Sequence, residues 1–289
     1  MKHKISNGEV ELTGIGDFDL TKIFECGQCF RWKADENGAY TGVVKNRAAR
    51  VRRVASSVFI SGSAEDVEEI WWEYFDLDRN YEQIRHQLCI DDYMRRAVAY
   101  GKGIRILRQD KWEALCSFII SQNNNIARIK KIVDLLCREF GNRVDFKGEE
   151  LYSFPSADRI ARLNIEDLAC IRCGYRAEYI VYAAREVAEG RMDLEKLAGC
   201  SPAEARAALK KLRGVGNKVA DCAALFGLNI FETFPLDVWM KRAVAKQYGS
   251  GFDPKVFSPY EGIAQQYIYH YARSLGKKSI SVSAHKAVV

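Results

Sequence analysis

Apolar and polar positions change their rhythm once along this chain. In AYTGVVKNRAARVRRVASSVFISGS, short β-branched runs are split by Gly, Asn and Ser, the punctuation of antiparallel strands. From about Val67, DVEEIWWEYFDL opens a long series of stretches with apolar residues three and four apart, which predicts helices. Only five prolines interrupt the chain, and Gly or Asn stands where the helical stretches end. No repeat or low-complexity linker is present. The pattern predicts an α+β chain: a small N-terminal antiparallel β-sheet domain over residues 1–65, then a larger all-helical part over residues 66–289.

Two predicted helix pairs carry most of the information. In DKWEALCSFIISQNNNIARIKKIVDLLCREFG, Asp110 caps a first helix that is apolar at Leu115, Phe118 and Ile119. A second helix is apolar at Ile126, Ile129, Val133, Leu136 and Phe140 and stops at Gly141. Between them lie Asn123, Asn124 and Asn125. A solvated turn explains one or two of these; three, with Arg128 close behind, make a polar cluster of the kind that reads base edges. In SPAEARAALKKLRGVGNKVADCAALFG, Ser201 and Glu204 form a capping box with Pro202 at the first helical position, and the helix is expected to run to about Leu212. After Arg213 come Gly214, Val215 and Gly216, then a helix apolar at Val219, Cys222, Ala223 and Phe226 that ends at Gly227. An ordinary corner between helices is one reading. The other is a hairpin over about 201–227 whose free N–H groups, at the start of the second helix, hold a phosphate.

Composition narrows the field. The net charge of +6 permits nucleic-acid binding without requiring it. Lys45, Arg47, Arg50, Arg52 and Arg53 cluster in one stretch that also reads as the solvated face of a strand. No apolar run is long enough for a membrane helix, and the first residues lack the core of a secretory signal. Nine scattered cysteines, an odd number, argue against a secreted disulfide framework. The expected location is therefore the cytoplasm, at the nucleoid in a prokaryote or in the nucleus of a eukaryote. Cys26 and Cys29 in ECGQCFRW, and Cys170 and Cys173 in CIRCGYR, have the spacing of redox or zinc sites. CGQC is not followed by a βαβ pattern, so a redox role lacks its usual setting.

Lys218 falls in the first turn of the helix after the glycines, where the positive helix end disfavours a cation. DNA bound there would offset this; partial burial would instead favour a neutral amine, a nucleophile able to form a Schiff base. Asp237, in FPLDVWMKRAVAKQYG, reads first as a helix N-cap. Beside Lys218 it could also stabilise a cationic sugar.

LRGVGNKVADC followed by FPLDVWM resembles the helix-hairpin-helix DNA glycosylases, with Pro235, Leu236 and Asp237 as their Gly/Pro-Asp element. SFIISQNNNIARI, CGYRAEY, GQCFRW and ILRQD narrow the resemblance to the 8-oxoguanine DNA glycosylases, over about residues 10–275. The resemblance implies that Lys218 is the nucleophile that displaces the base and holds the sugar as a Schiff base, assisted by Asp237. It implies that the Gly27 carbonyl accepts the N7 proton that oxidised guanine carries and guanine lacks. Cys222 and Tyr269 would flank the extruded base, and Gln265 would bond its Watson–Crick edge. Asn123 would fill the vacated stack, Arg128 and Arg176 would read the orphaned cytosine, and Tyr175 would wedge beside it. Gly27 and Gln28, rather than the flanking cysteines, would then carry the function of ECGQCFRW. The partner implied is duplex DNA containing oxidised guanine, bound by a monomer with no metal and no cofactor.

Some positions depart from the family. Tyr269 stands where Phe is frequent, and Trp239 where some members have a His near a phosphate. No cysteine follows Cys222, so the iron–sulfur loop of the endonuclease III branch is missing. The branches for alkylated bases and for adenine–oxoguanine mispairs typically lack the lysine. The competing readings are a helix-hairpin-helix protein that binds DNA without chemistry, a zinc or thiol-redox protein, and a glycosylase for another oxidised purine such as a formamidopyrimidine.

Overall fold

A computed structural model describes residues 2–6 and 8–286. Six strands, β1 (Lys2–Ser6), β2 (Glu9–Thr13), β3 (Lys33–Ala34), β4 (Tyr40–Val44), β5 (Arg47–Val54) and β6 (Ser57–Ser61), form one antiparallel sheet in the order β1-β2-β6-β5-β4-β3. Strand β5 shows why the segment folds this way. Ala49 and Val51 are fully buried while Arg50 and Arg52, on either side of Val51, face outward, the period of two that a half-buried strand requires. Those arginines are mostly spent on ion pairs: Arg47 with Asp66, Arg50 with Asp35 and Arg52 with Glu9. Arg53 donates to the Phe18 carbonyl. The basic cluster is therefore largely a paired strand face.

The sheet is not pure β. The helix Leu20–Glu25, capped by Asp19, lies within the same segment and buries Ile23 and Phe24. Its Phe24 ring stacks on Trp32 with centroids 4.4 Å apart, and Trp71 and Phe75 complete an aromatic core. The segment after the sheet thus packs back on it: Val67, Trp71, Tyr74, Phe75 and Leu77 all belong to the sheet-side core.

In the helical part, Lys111–Ile120 is buried along nearly its whole length and packs against Ile126–Phe140, Arg176–Ala188 and Asn217–Phe226. Its Phe118 ring stacks on Phe226 of the helix Asn217–Phe226 at 5.3 Å. The helix Glu261–Lys286 lies along Asp92–Gly101, close enough that a Cβ on Gly101 would fall 2.4 Å from Tyr267. The helical part also carries one hairpin that the apolar pattern did not announce, β7 (Arg143–Phe146) with β8 (Glu149–Tyr152). Its turn residues Lys147 and Gly148 both have positive φ, as a two-residue hairpin turn needs. Val144 and Phe146 alternate with polar residues on β7, but β8 does not alternate and no residue of either strand is fully buried, so the apolar signal is weak.

One buried side chain joins the two halves. Gln28 Nε2 donates to the carbonyls of Ile23 and Arg105, both at 2.8 Å, and its Oε1 accepts from the Leu107 amide at 2.9 Å. Gln109 in turn donates to the Gln28 carbonyl at 2.7 Å. This network fixes the loop Cys26–Phe30 against the helical core and holds Gly27 in place beside the cleft described next.

Candidate active site

A cleft of about 1620 Å³ opens on the helical part, and Gly27, Asn123, Gly216, Lys218, Asp237 and Tyr269 all lie on its wall. The chain brings these together from five separate segments, which sequence spacing alone cannot do.

Lys218 is the second residue of the helix Asn217–Phe226. Its Nζ donates to Ser121 Oγ at 3.0 Å and sits 5.2 Å from the centroid of the Phe118 ring. The Ser121 hydroxyl donates to the Phe118 carbonyl at 2.7 Å, so its lone pairs are left to receive the amine. Ser121 is the C-cap of Lys111–Ile120. A hydroxyl at the end of a deeply buried helix is a rigid anchor for a flexible lysine.

Asp237 caps the helix Val238–Tyr248, its Oδ1 accepting from the Met240 amide at 2.7 Å. The cap uses one carboxylate oxygen, so capping and a role in the cleft are compatible in one side chain. Both charged groups act on Cys222, one turn beyond Lys218. Burial pushes the Cys222 thiol up to about 11, with Lys218 pulling it down and Asp237 pushing it up. The thiol is thus neutral, an apolar surface rather than a nucleophile. Cys222 and Gln265 are buried and do not themselves line the cleft. The Gln265 amide is engaged at both ends: Nε2 donates to the Pro235 carbonyl at 3.2 Å, and Oε1 accepts from Gln266 at 2.8 Å. To bond an incoming ligand it must exchange one of these partners.

Gly27 has φ +88°, a left-handed conformation that a side chain would strain. The neighbouring thiols are inert. Burial pushes Cys26 up to about 11 and Cys29 well above its ordinary value. Cys29 belongs to the sheet-side core and Cys173 to the helical core, so the two Cys-x-x-Cys pairs do not converge. Among the described residues, no group of three or more His, Cys, Asp or Glu is placed to hold a metal ion. Gln28, expected to share the function of its loop, is instead the buried joint described above.

The glycine hairpin has the expected form, although its first helix ends at Leu209 rather than near Leu212. Gly214 has φ +80°, and a Cβ there would lie 2.3 Å from the Tyr179 ring. Val215 is buried between the helices. Gly216 begins the second helix with no side-chain cap and with open space where a Cβ would be, so the first N–H groups of that helix are left for a ligand. Behind it, Asp221 pairs with Arg206 at 2.5 Å and ties the two helices together.

The three asparagines divide the work. Asn125 caps Ile126–Phe140 through the Arg128 amide, and Asn124 donates to the Ile120 carbonyl at the end of the preceding helix. Asn123 remains exposed in a left-handed conformation, φ +45°, 3.5 Å from the Tyr175 hydroxyl. Tyr175 is 52% exposed, and Arg128 is exposed. Arg176 differs: it is only 3% exposed and donates to the carbonyls of Gln122, Asn123 and Cys173, bracing the asparagine loop from below. Sequence reasoning missed Ser121 and Arg206. Ser121 stood inside a quoted motif, but no periodicity links position 121 to position 218.

Comparison with known proteins agrees with this geometry. Residues 12–115 match the model of the 8-oxoguanine DNA glycosylase N-terminal domain, and residues 116–256 match the HhH-GPD superfamily of base excision DNA repair proteins. A structure of MBOgg1 in complex with a low-affinity DNA ligand is 42% identical, covers 96% of this chain and all of its own, and superposes with a TM-score of 0.91. The 8-oxoguanine glycosylase/lyase of Clostridium acetobutylicum, solved with duplex DNA containing cytosine opposite 8-oxoguanine, is 35% identical over 96% of this chain and 99% of its own, with a TM-score of 0.90. The N-glycosylase/DNA lyase of Saccharomyces cerevisiae is 31% identical over 79% of this chain and 68% of its own length. The chain therefore belongs to the 8-oxoguanine DNA glycosylase/lyase family of the HhH-GPD superfamily.

Proposed function

We propose that this protein is a bifunctional DNA glycosylase that excises 8-oxoguanine, preferentially opposite cytosine, from duplex DNA and then nicks the abasic strand. The observation that carries the reading is that Lys218 and Asp237 line the same cleft, with the amine anchored by Ser121.

The target atom is out of reach inside a base stack, so the nucleotide is extruded into the cleft at a cost of a few kcal/mol. The hairpin amides beyond Gly216 take one backbone phosphate, and the exposed Asn123 and Tyr175 enter the space the base leaves. The Gly27 carbonyl accepts the N7 proton of the oxidised base; guanine presents an acceptor there and is refused. The Lys218 Nζ lone pair then bonds C1′ of the sugar. The C1′–N9 electron pair leaves with the base, and the proton lost from Nζ returns to the base. Asp237 stabilises the positive charge on the sugar as that bond breaks. Opening of the sugar ring gives a Schiff base, and loss of a C2′ proton expels the 3′ phosphate.

Two substitutions test separate parts of this reading. Ser121→Ala removes the acceptor that holds the amine. Base release under single-turnover conditions is expected to fall about tenfold with duplex affinity unchanged, the size of one hydrogen bond to a charged or reacting group. Arg128→Ala is expected to erase about 1–3 kcal/mol of opposite-base discrimination, measured as excision rates with each of the four bases across from the lesion. A parent enzyme with equal rates against all four would contradict the assignment of Arg128.

A further inference from the structure

Glu261, Gln265, Tyr269 and Arg273 follow one another at intervals of four on Glu261–Lys286, and so share one face of that helix. Glu261, Tyr269 and Arg273 line the cleft, and Gln265 lies among them at 5% exposure. Its partner Pro235 is likewise flanked by cleft-lining residues, Phe234 on one side and Leu236 on the other. Gln265 therefore stands just beneath the cleft surface.

A glutamine amide is nearly symmetric in shape, so turning it end for end exchanges a donor for an acceptor at little steric cost. The neighbours of Gln265 remove this freedom. The Pro235 carbonyl can only accept, so the amide atom 3.2 Å from it is Nε2. Oε1 then needs a donor, and Gln266 Nε2 supplies one at 2.8 Å. Of the two bonds, the longer one to Pro235 is the one that yields to an incoming ligand. Gln266 is then the neighbour that still tells the two ends of the amide apart. Gln266 is 3% exposed, and its own Oε1 is buried without a hydrogen-bond partner among the described residues. A Met or Leu would fill such a place without leaving a buried acceptor unpaired, so packing does not account for an amide here. Donation to Gln265 does.

We propose that Gln266 is a positioning residue that locks Gln265 in one orientation and, through it, makes the cleft select oxidised guanine over oxidised adenine. The inference rests on the excision reading above, with Gln265 at the Watson–Crick edge of the extruded base. The two purines carry reversed patterns on that edge: a carbonyl beside an N–H in guanine, an amino group beside a bare ring nitrogen in adenine. An amide free to turn serves either pattern. An amide locked by Gln266 serves one and opposes the other, because donor then meets donor and acceptor meets acceptor.

The test uses single-turnover release of 8-oxoguanine and of 8-oxoadenine, each opposite cytosine, and nicking of a duplex with a preformed abasic site. The two lesions share the C8 oxygen and the N7 proton and differ at the Watson–Crick edge. The parent should release 8-oxoguanine faster. Gln266→Met keeps the length of the side chain and removes the donor. It should release 8-oxoguanine about tenfold more slowly, the size of one hydrogen bond, with 8-oxoadenine release no slower than the parent's and abasic nicking unchanged. Gln265→Met should slow 8-oxoguanine release at least as much. Adding Gln266→Met to it should change nothing further, because the effect runs through the Gln265 amide. The proposal is overturned if Gln266→Met releases 8-oxoguanine normally, if all of its reactions fall together, or if the double variant falls well below Gln265→Met. An active parent whose Gln265→Met variant is unaffected would take Gln265 away from the base, and would overturn this inference while the excision reading stands. A parent that releases no 8-oxoguanine would overturn the excision reading, and this inference with it.

Discussion

Lys218→Gln should abolish base release while leaving duplex affinity unchanged. Loss of a nucleophile that acts as part of a unit costs on the order of 10⁴-fold or more in rate. Gln is the informative replacement. It keeps much of the length of the side chain and can still donate to Ser121 Oγ, which now accepts from Nζ at 3.0 Å. Packing against Phe118 and the start of the helix Asn217–Phe226 should therefore survive. Single-turnover release of 8-oxoguanine measures the first effect, and equilibrium binding to the same duplex measures the second. Retained release would place the nucleophile elsewhere.

Asp237→Asn should slow base release by about 10²–10³-fold with little change in thermal stability. The pair of effects follows from the two jobs of this side chain. As a cap it accepts from the Met240 amide, and Asn caps a helix about as well as Asp. As a charge it has no neutral substitute, and loss of one preorganised electrostatic group costs about that factor. Asp237→Ala makes the contrast, since it removes the cap as well and should cost about 1 kcal/mol of stability in addition. If Asp237→Asn releases base normally, the carboxylate is a cap and nothing more.

Much of this molecule was legible in the sequence, and each part that was not has a physical reason. Local features were readable because they are written in local chemistry: the capping box at Ser201, the cap at Asp110, the strand alternation of β5 and the helix stops at Gly141 and Gly227. The helix Leu20–Glu25 was hidden because it is short and sits among strands. The hairpin of β7 and β8 was hidden because its strands are four residues long and none of their residues is fully buried. At the cleft, motif order identified Lys218, Asp237, Gly27 and Tyr269 as candidates, and all four line it. Ser121 escaped because its significance lies in a contact with a residue 97 positions away. Arg176 shows the opposite limit. The resemblance made it a reader of the orphaned cytosine; what the sequence did not show is that it is buried and donates to three backbone carbonyls, which brace the Asn123 loop.

The most direct test of the central claim is borohydride reduction during reaction with a duplex that carries one 8-oxoguanine opposite cytosine. The reagent converts a Schiff base into a stable amine, so a Lys218–sugar intermediate becomes a covalent protein–DNA adduct. The expected result is an adduct whose peptide map places the sugar on Lys218, and none with Lys218→Gln. Base release without an adduct, or an adduct on a different lysine, would contradict the account.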